Sequence, residues 1–111
     1  MLESLPFEGT IKVKNKGVDA AILADHDCVD MAFSVSRKLV VCGISTAVLE
    51  VTCLDPVDTK TLAYYEATTG GLLTMNADIL AAVRPHLKPE TKLVLFTGTT
   101  EQELFQAVRK L

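Results

Sequence analysis

Five side chains with ionisable or nucleophilic groups fall within six positions of the stretch "ILADHDCVDMAF", residues 22 to 33: Asp25, His26, Asp27, Cys28 and Asp30. An Asp beside a His can orient the ring and decide which nitrogen carries the proton, as a base and its orienting partner require. A second candidate is "VVCGIST", where Cys42 precedes Gly43, Ser45 and Thr46. Backbone N–H groups exposed around such a thiol would favour the thiolate. A cysteine-dependent hydrolase or transferase would then use Cys42 as nucleophile, His26 as base and Asp25 as orienter. The third candidate is "FTGTTEQE". Gly98 permits a tight turn, Thr99 and Thr100 carry hydroxyls, and a helix start there offers N–H groups to an anion.

Each candidate also has a plainer reading. Asp27 is a good helix N-cap and Asp30 would sit in the first turn, which makes the opening stretch the polar start of a helix. Adjacent side chains such as Asp25 and His26 usually diverge at a strand end. Cys42 can be a small buried hydrophobe. The loop of cysteine phosphatases needs an Arg a few residues beyond the Cys, and none follows Cys42. Over about a dozen residues the run resembles the cysteine helix of the ribosomal-protein-processing cysteine proteases, with His26 upstream, but that family's Gly-His-Ala and Asp-Ile-Val-Cys signatures are absent. Thr100 and Glu103 have capping-box spacing, "TGTT" has no P-loop Lys, and Glu101 and Glu103 would repel an anion. His86, in "RPHLKP", is the only histidine besides His26. No metal site and no cofactor are expected.

Elements that could position these groups follow from hydrophobic period and punctuation. "TIKVKNKGVDAAILAD" reads as strand, turn, strand, with Lys12, Lys14 and Lys16 alternating on one strand face. "DCVDMAFSVSRK" has helical spacing, and "KLVVCGIS" reads as a buried strand. Residues 44–54 stay open between strand and helix. Residues 56–69 stay open between a helix and a hairpin, with the helix preferred: Asp55 would cap it, Pro56 would open it and Gly70 would take a left-handed exit. "GLLTM" is a short strand, and Asn76 caps "ADILAAVR", which ends or kinks at Pro85. "KLVLF" lacks alternation, as a strand covered on both faces would, and "EQELFQAVRKL" is a helix with Leu104, Phe105, Val108 and Leu111 inward.

Strands alternating with helices imply a single α/β domain over residues 1–111, in two or three layers. About five strands, mostly parallel with a possible N-terminal hairpin, would alternate with four helices. In such sheets ligands bind beyond the carboxyl ends of the strands. Residues 25–28, 42–46 and 97–100 would then share one rim. Gly43, Ser45, Thr46, Gly98, Thr99 and Thr100 would bind a small polar or anionic ligand there.

Composition narrows the partners. The formal charge is −3 with no basic stripe, and the chain has no Trp and only six Phe and Tyr, which disfavours nucleic acid. No apolar run reaches the ~18 residues that span a bilayer, and the N-terminus lacks a secretory pattern, so no membrane partner is expected. Three widely spaced cysteines without a C-x-x-C fit a reducing cytoplasm. Mean hydropathy is +0.29, high for a small domain, so apolar surface is expected to be hidden by homo-oligomer formation. A ligand-binding or partner-binding module is therefore the leading expectation, and the Cys42–His26 enzyme the alternative.

Overall fold

β2 (Ala20–Ala24) and β3 (Thr46–Val51) are runs of small and branched apolar residues, broken in β3 by Thr46 and Glu50, and buried at every position. Such runs suit central strands covered on both faces. They pair in parallel, with Ala20 opposite Thr46 and Ala24 opposite Glu50. β4 (Leu72–Thr74) flanks β2 in parallel and β5 (Leu93–Leu95) flanks β4. β1 (Ile11–Asn15) runs antiparallel along the other side of β3, giving the sheet order β1-β3-β2-β4-β5. The computed structural model describes residues 11–52 and 58–111. The mixed, mainly parallel α/β fold expected from the residues is the fold observed.

Helices α1 (Val29–Val41) and α4 (Glu101–Arg109) cover one face, packing Ala32, Val35, Leu39, Leu104 and Val108 on Ile22, Val48 and Leu73. α2 (Thr59–Thr68) and α3 (Ala77–Val83) cover the other, packing Leu62, Tyr65, Ile79 and Val83 on Leu23, Leu49 and Leu72. The side chains of each central strand divide between these two clusters by alternation. The result is three layers with two cores.

Several local expectations are corrected. "KLVV" is not a strand: it completes α1, Cys42 is the C-cap, and Gly43 leaves the helix at φ 83°. Gly43 N–H donates to Val40 O and Ile44 N–H to Leu39 O, the paired bonds of a Schellman exit. "TAVLEV", the ambiguous stretch, is the third strand. β1 pairs β3 rather than forming a hairpin with β2, because Gly17 lets the chain cross close under β3. A Cβ at Gly17 would lie 2.3 Å from Ala47 N and Thr46 C.

A register shift between Val13 and Asn15 breaks the lysine alternation. Lys14 faces the α1 side beside Glu50, whereas Lys16 lines a hollow with α2 residues. The preferred helix at 56–69 exists as α2, but Asp58 caps it by accepting from Thr61 N–H. Asp55 and Pro56 lie outside the described residues. The exit of α2 uses Thr69 in an extended conformation, not a left-handed Gly70. β5 is an edge strand, with Leu93 and Val94 half-buried and Leu95 exposed, not a strand covered on both faces. Asn76 caps α3, Pro85 turns its end into a short 3-10 helix, and Thr100 with Glu103 forms the capping box of α4, all as expected.

Candidate functional site at the carboxyl-end rim

Parallel β2 and β4 are neighbours, yet the chain leaves β2 for α1 on one face and β4 for α3 on the other. That divergence is a topological switch point, where the loops part and open α/β sheets take ligands. Here it lies between residues 25–28 and residues 75–76.

One carboxylate joins the two loops. Asp25 Oδ1 accepts from the Cys28 N–H at 3.0 Å, and Asp25 Oδ2 accepts from Asn76 Nδ2 at 2.8 Å. Asn76 Oδ1 in turn accepts from Asp78 N–H at 2.7 Å and Ile79 N–H at 3.2 Å. The start of α1 and the start of α3 are therefore linked through two side chains. The Asn76 hydrogen bond holds the Asp25 carboxyl below the usual carboxylate range, outweighing a smaller opposing effect of burial, with help from the Cys28 N–H. Asp27 is not the cap of α1: Cys28 occupies that position without a side-chain bond, and Asp25 supplies the acceptor. Burial and then the Asp25 charge push the Cys28 thiol up, away from thiolate.

His26 is turned the other way. Its side chain is 91% exposed, and Nδ1 lies 3.3 Å from Glu50 Oε2. Glu50 sits in β3, only 7% exposed, and its Oε1 lies 3.4 Å from Lys14 Nζ. A buried carboxylate needs such partners. Burial pushes the Glu50 carboxyl up, but His26 and Lys14 together outweigh it and hold it low. These groups line a hollow of about 260 Å³ with Val29, Asp30 and Phe33.

The expected site residues divide between two ends of the sheet. Asp25 and His26 stand at the carboxyl ends, as does the loop after β5 carrying Gly98, Thr99 and Thr100. Gly43 and Ser45 precede β3 and Thr46 begins it, so all three stand at the amino ends, where Ser45 N–H donates to Asp19 Oδ2 and Ser45 Oγ accepts from Val18 N–H. Cys42 shares that pole, so β2, on the order of 16 Å long at ~3.3 Å per residue, separates it from His26. The expected convergence of 42–46 with the rim does not occur, because "KLVV" is helical and the strand starts at Thr46, eight residues later than expected. Thr46 is buried in the sheet. Thr99 and Thr100 N–H groups both donate to Glu103 Oε1, so the loop after β5 satisfies its own donors. Among the described residues no group of three or more His, Cys, Asp or Glu could hold a metal ion.

Glu50 and Asn76 were the residues the sequence reading passed over as site components. A lone Glu inside "TAVLEV" was the available signal, since a charge in an apolar strand needs a partner.

No family model matches the chain. No curated protein matches it. Solved structures do resemble it. A split-gene transketolase, an inactive β4 tetramer, superposes with a TM-score of 0.74 at 19% identity, covering 90% of this chain and 40% of that one. A 2-oxoglutarate:ferredoxin oxidoreductase from Magnetococcus marinus, with 2-oxoglutarate, coenzyme A and succinyl-CoA bound, gives 0.75 at 12% identity, covering 95% of this chain and 20% of that one. At these identities the likeness is one of fold. The chain spans less than half the length of either neighbour.

Proposed function

We propose that this chain is a non-catalytic α/β module that binds a small polar ligand at the carboxyl-end rim. The observation that carries this reading is the Asp25–Asn76 bond across the switch point, with the Lys14–His26–Glu50 hollow beside it. His26 is engaged with Glu50, and Asp25 with the Asn76 amide and the Cys28 N–H, so neither stands free as a base. Cys28 is held as thiol and Cys42 stands at the far pole. Asp25, Asp27 and Asp30 crowd the rim and the Lys14 charge is offset by Glu50, which favours a ligand with an amino group over an anion. The exposed ring of Phe33 offers a surface for an apolar body.

Titration with tyramine followed by two-dimensional amide NMR tests this. Saturable shifts at His26, Asp30 and Phe33 are expected. Shifts that never saturate, or that avoid the rim, would defeat the ligand reading.

A second reading, homo-oligomer formation, rests on a different observation. The outer edge of β5 has no strand beside it among the described residues, its three residues carry no charge, and it borders a hollow of about 630 Å³ whose wall joins Val94, Ala107 and Leu111 with Lys92, Glu103 and Lys110. Such an edge invites a second copy of the chain. Leu95→Lys should convert any dimer to monomer in size-exclusion chromatography with light scattering, and a wild-type monomer at high concentration would remove the idea. Both neighbours in the fold comparison are longer chains, which supports a module that works within an assembly. Cys28 and Cys42 are unpaired thiols, in keeping with a cytoplasmic setting. Among the described residues no helix is long and apolar enough to cross a membrane.

A further inference from the structure

The hollow on the other side of β1 is unlike the rim. It measures about 500 Å³ and is walled by Val13, Lys16, Val18, Lys60, Tyr64 and Tyr65. Val18 is 64% exposed and Tyr64 61%, a large apolar area to leave in water for a chain this small. Tyr65 is buried beneath, its ring meeting that of Tyr64 edge-on at 5.0 Å between centroids. The Tyr64 ring is thus backed by the core.

Two cations face this space, and neither Lys16 nor Lys60 makes an ion pair among the described residues. No carboxylate among the described residues lines it. The nearest described ones along the chain are already committed: Asp58 accepts from the Thr61 N–H and hydroxyl, Asp19 accepts from Ser45 N–H, and Glu66 accepts from Lys88 N–H and the Thr91 hydroxyl. Lys16 reaches this side because of the register shift that separates it from Lys14. Two ammonium groups sharing one hollow repel each other, and an anion between them removes that repulsion. Ammonium groups act as adaptable point charges and do not demand a particular anion geometry. The volume lies in the range of small-molecule sites. The bulge and lysines of β1 disfavour addition of a peptide strand along its edge.

We infer that this hollow binds a small organic anion with a compact apolar body, its carboxylate between Lys16 and Lys60 and its body against Tyr64, Val13 and Val18. The site lies on the α2 face and is independent of the rim.

Benzoate is the probe, with neutral benzyl alcohol as its uncharged counterpart, followed by amide NMR on the whole chain. Benzoate should give saturable shifts at Val18, Lys60 and Tyr64, and benzyl alcohol should not. Replacing both cations, Lys16→Gln with Lys60→Gln, should weaken benzoate about five- to tenfold, as two exposed charge pairs allow. Lys88→Gln, a distant exposed lysine, should change nothing. If the double variant fails to fold by circular dichroism, Tyr64→Ala at an exposed position replaces it and should weaken benzoate to a similar degree. Equal binding of benzyl alcohol, unchanged affinity in the variant, or shifts spread over all lysines would overturn the inference. So would saturation by an acidic peptide such as acetyl-Glu-Glu-Val-Glu-Glu with no response to benzoate. Tyramine binding at the rim is read from different amides, so the two proposals fail separately.

Discussion

β1 is flanked by two hollows that differ in what their cations meet. On the α1 side, Lys14 and His26 close on the buried Glu50, so the charges there are offset within the chain. On the α2 side, Lys16 and Lys60 face Tyr64 with no such counter-charge among the described residues. One irregular step between Val13 and Asn15 separates the two outcomes. A carboxylate in the adjacent strand turns surface lysines into structural partners, and its absence leaves them available for something outside the chain.

The largest test of this contrast removes the close crossing that holds β1 in place. Gly17→Ala forces a Cβ into the backbone of Thr46 and Ala47 and should lower stability by about 2–3 kcal/mol in urea unfolding. Both hollows would lose their shared wall, so benzoate and tyramine shifts should vanish together.

Asn76→Asp comes next. It preserves a good N-cap for α3 but sets a second carboxylate against Asp25, where the amide stands at 2.8 Å. In the wild type, Asp25 has a lowered folded-state pKa. Its contribution is therefore present above the unfolded value near 4 and is lost as pH falls through the folded value. The variant has one carboxyl raised instead, so it should be about 1 kcal/mol less stable at neutral pH and recover as pH falls toward about 4. Urea midpoints should rise for the variant as pH falls from neutral toward about 4 while the wild type stays nearly flat, and the wild type should lose stability as pH falls further below about 4. Parallel slopes would mean that the bond across the switch point does not control Asp25.

Glu50→Gln sharpens the comparison by making the rim resemble its opposite. With Lys14 no longer offset, the rim should bind tyramine roughly threefold more weakly and begin to bind benzoate. An unchanged preference would show that counter-charge is not what distinguishes the hollows. The smallest effect is expected from Lys60→Gln alone, which should weaken benzoate roughly twofold while leaving tyramine untouched.

Much of the architecture was readable along the chain because it rests on local chemistry. Asn76 before "ADIL", Thr100 three residues before Glu103, and the apolar run of β2 each specify their own element, whereas the run that forms β3 is compatible with either strand or helix until it pairs. The misreadings share a cause. Leu39, Val40 and Val41 are three consecutive apolar residues, equally at home in a strand or a helix end. The nearby Gly43 was the feature that favoured a helix exit. That single shift moved Cys42 and its neighbours to the far pole. The lysine faces were misjudged because a bulge is set by pairing with a partner strand and leaves little trace in one strand's own residues. Glu50 was overlooked because its value lies in Lys14 and His26, which reach it from other segments.

The run of hydrogen bonds from Cys28 through Asp25 and Asn76 to Ile79 crosses from one helical layer to the other without passing through either core. A molecule that drew the Asn76 amide away from Asp25 would loosen the first turns of α1 and α3 in a single event. Were the proposed ligand to do so, its arrival at the crevice would be felt in both outer layers at once.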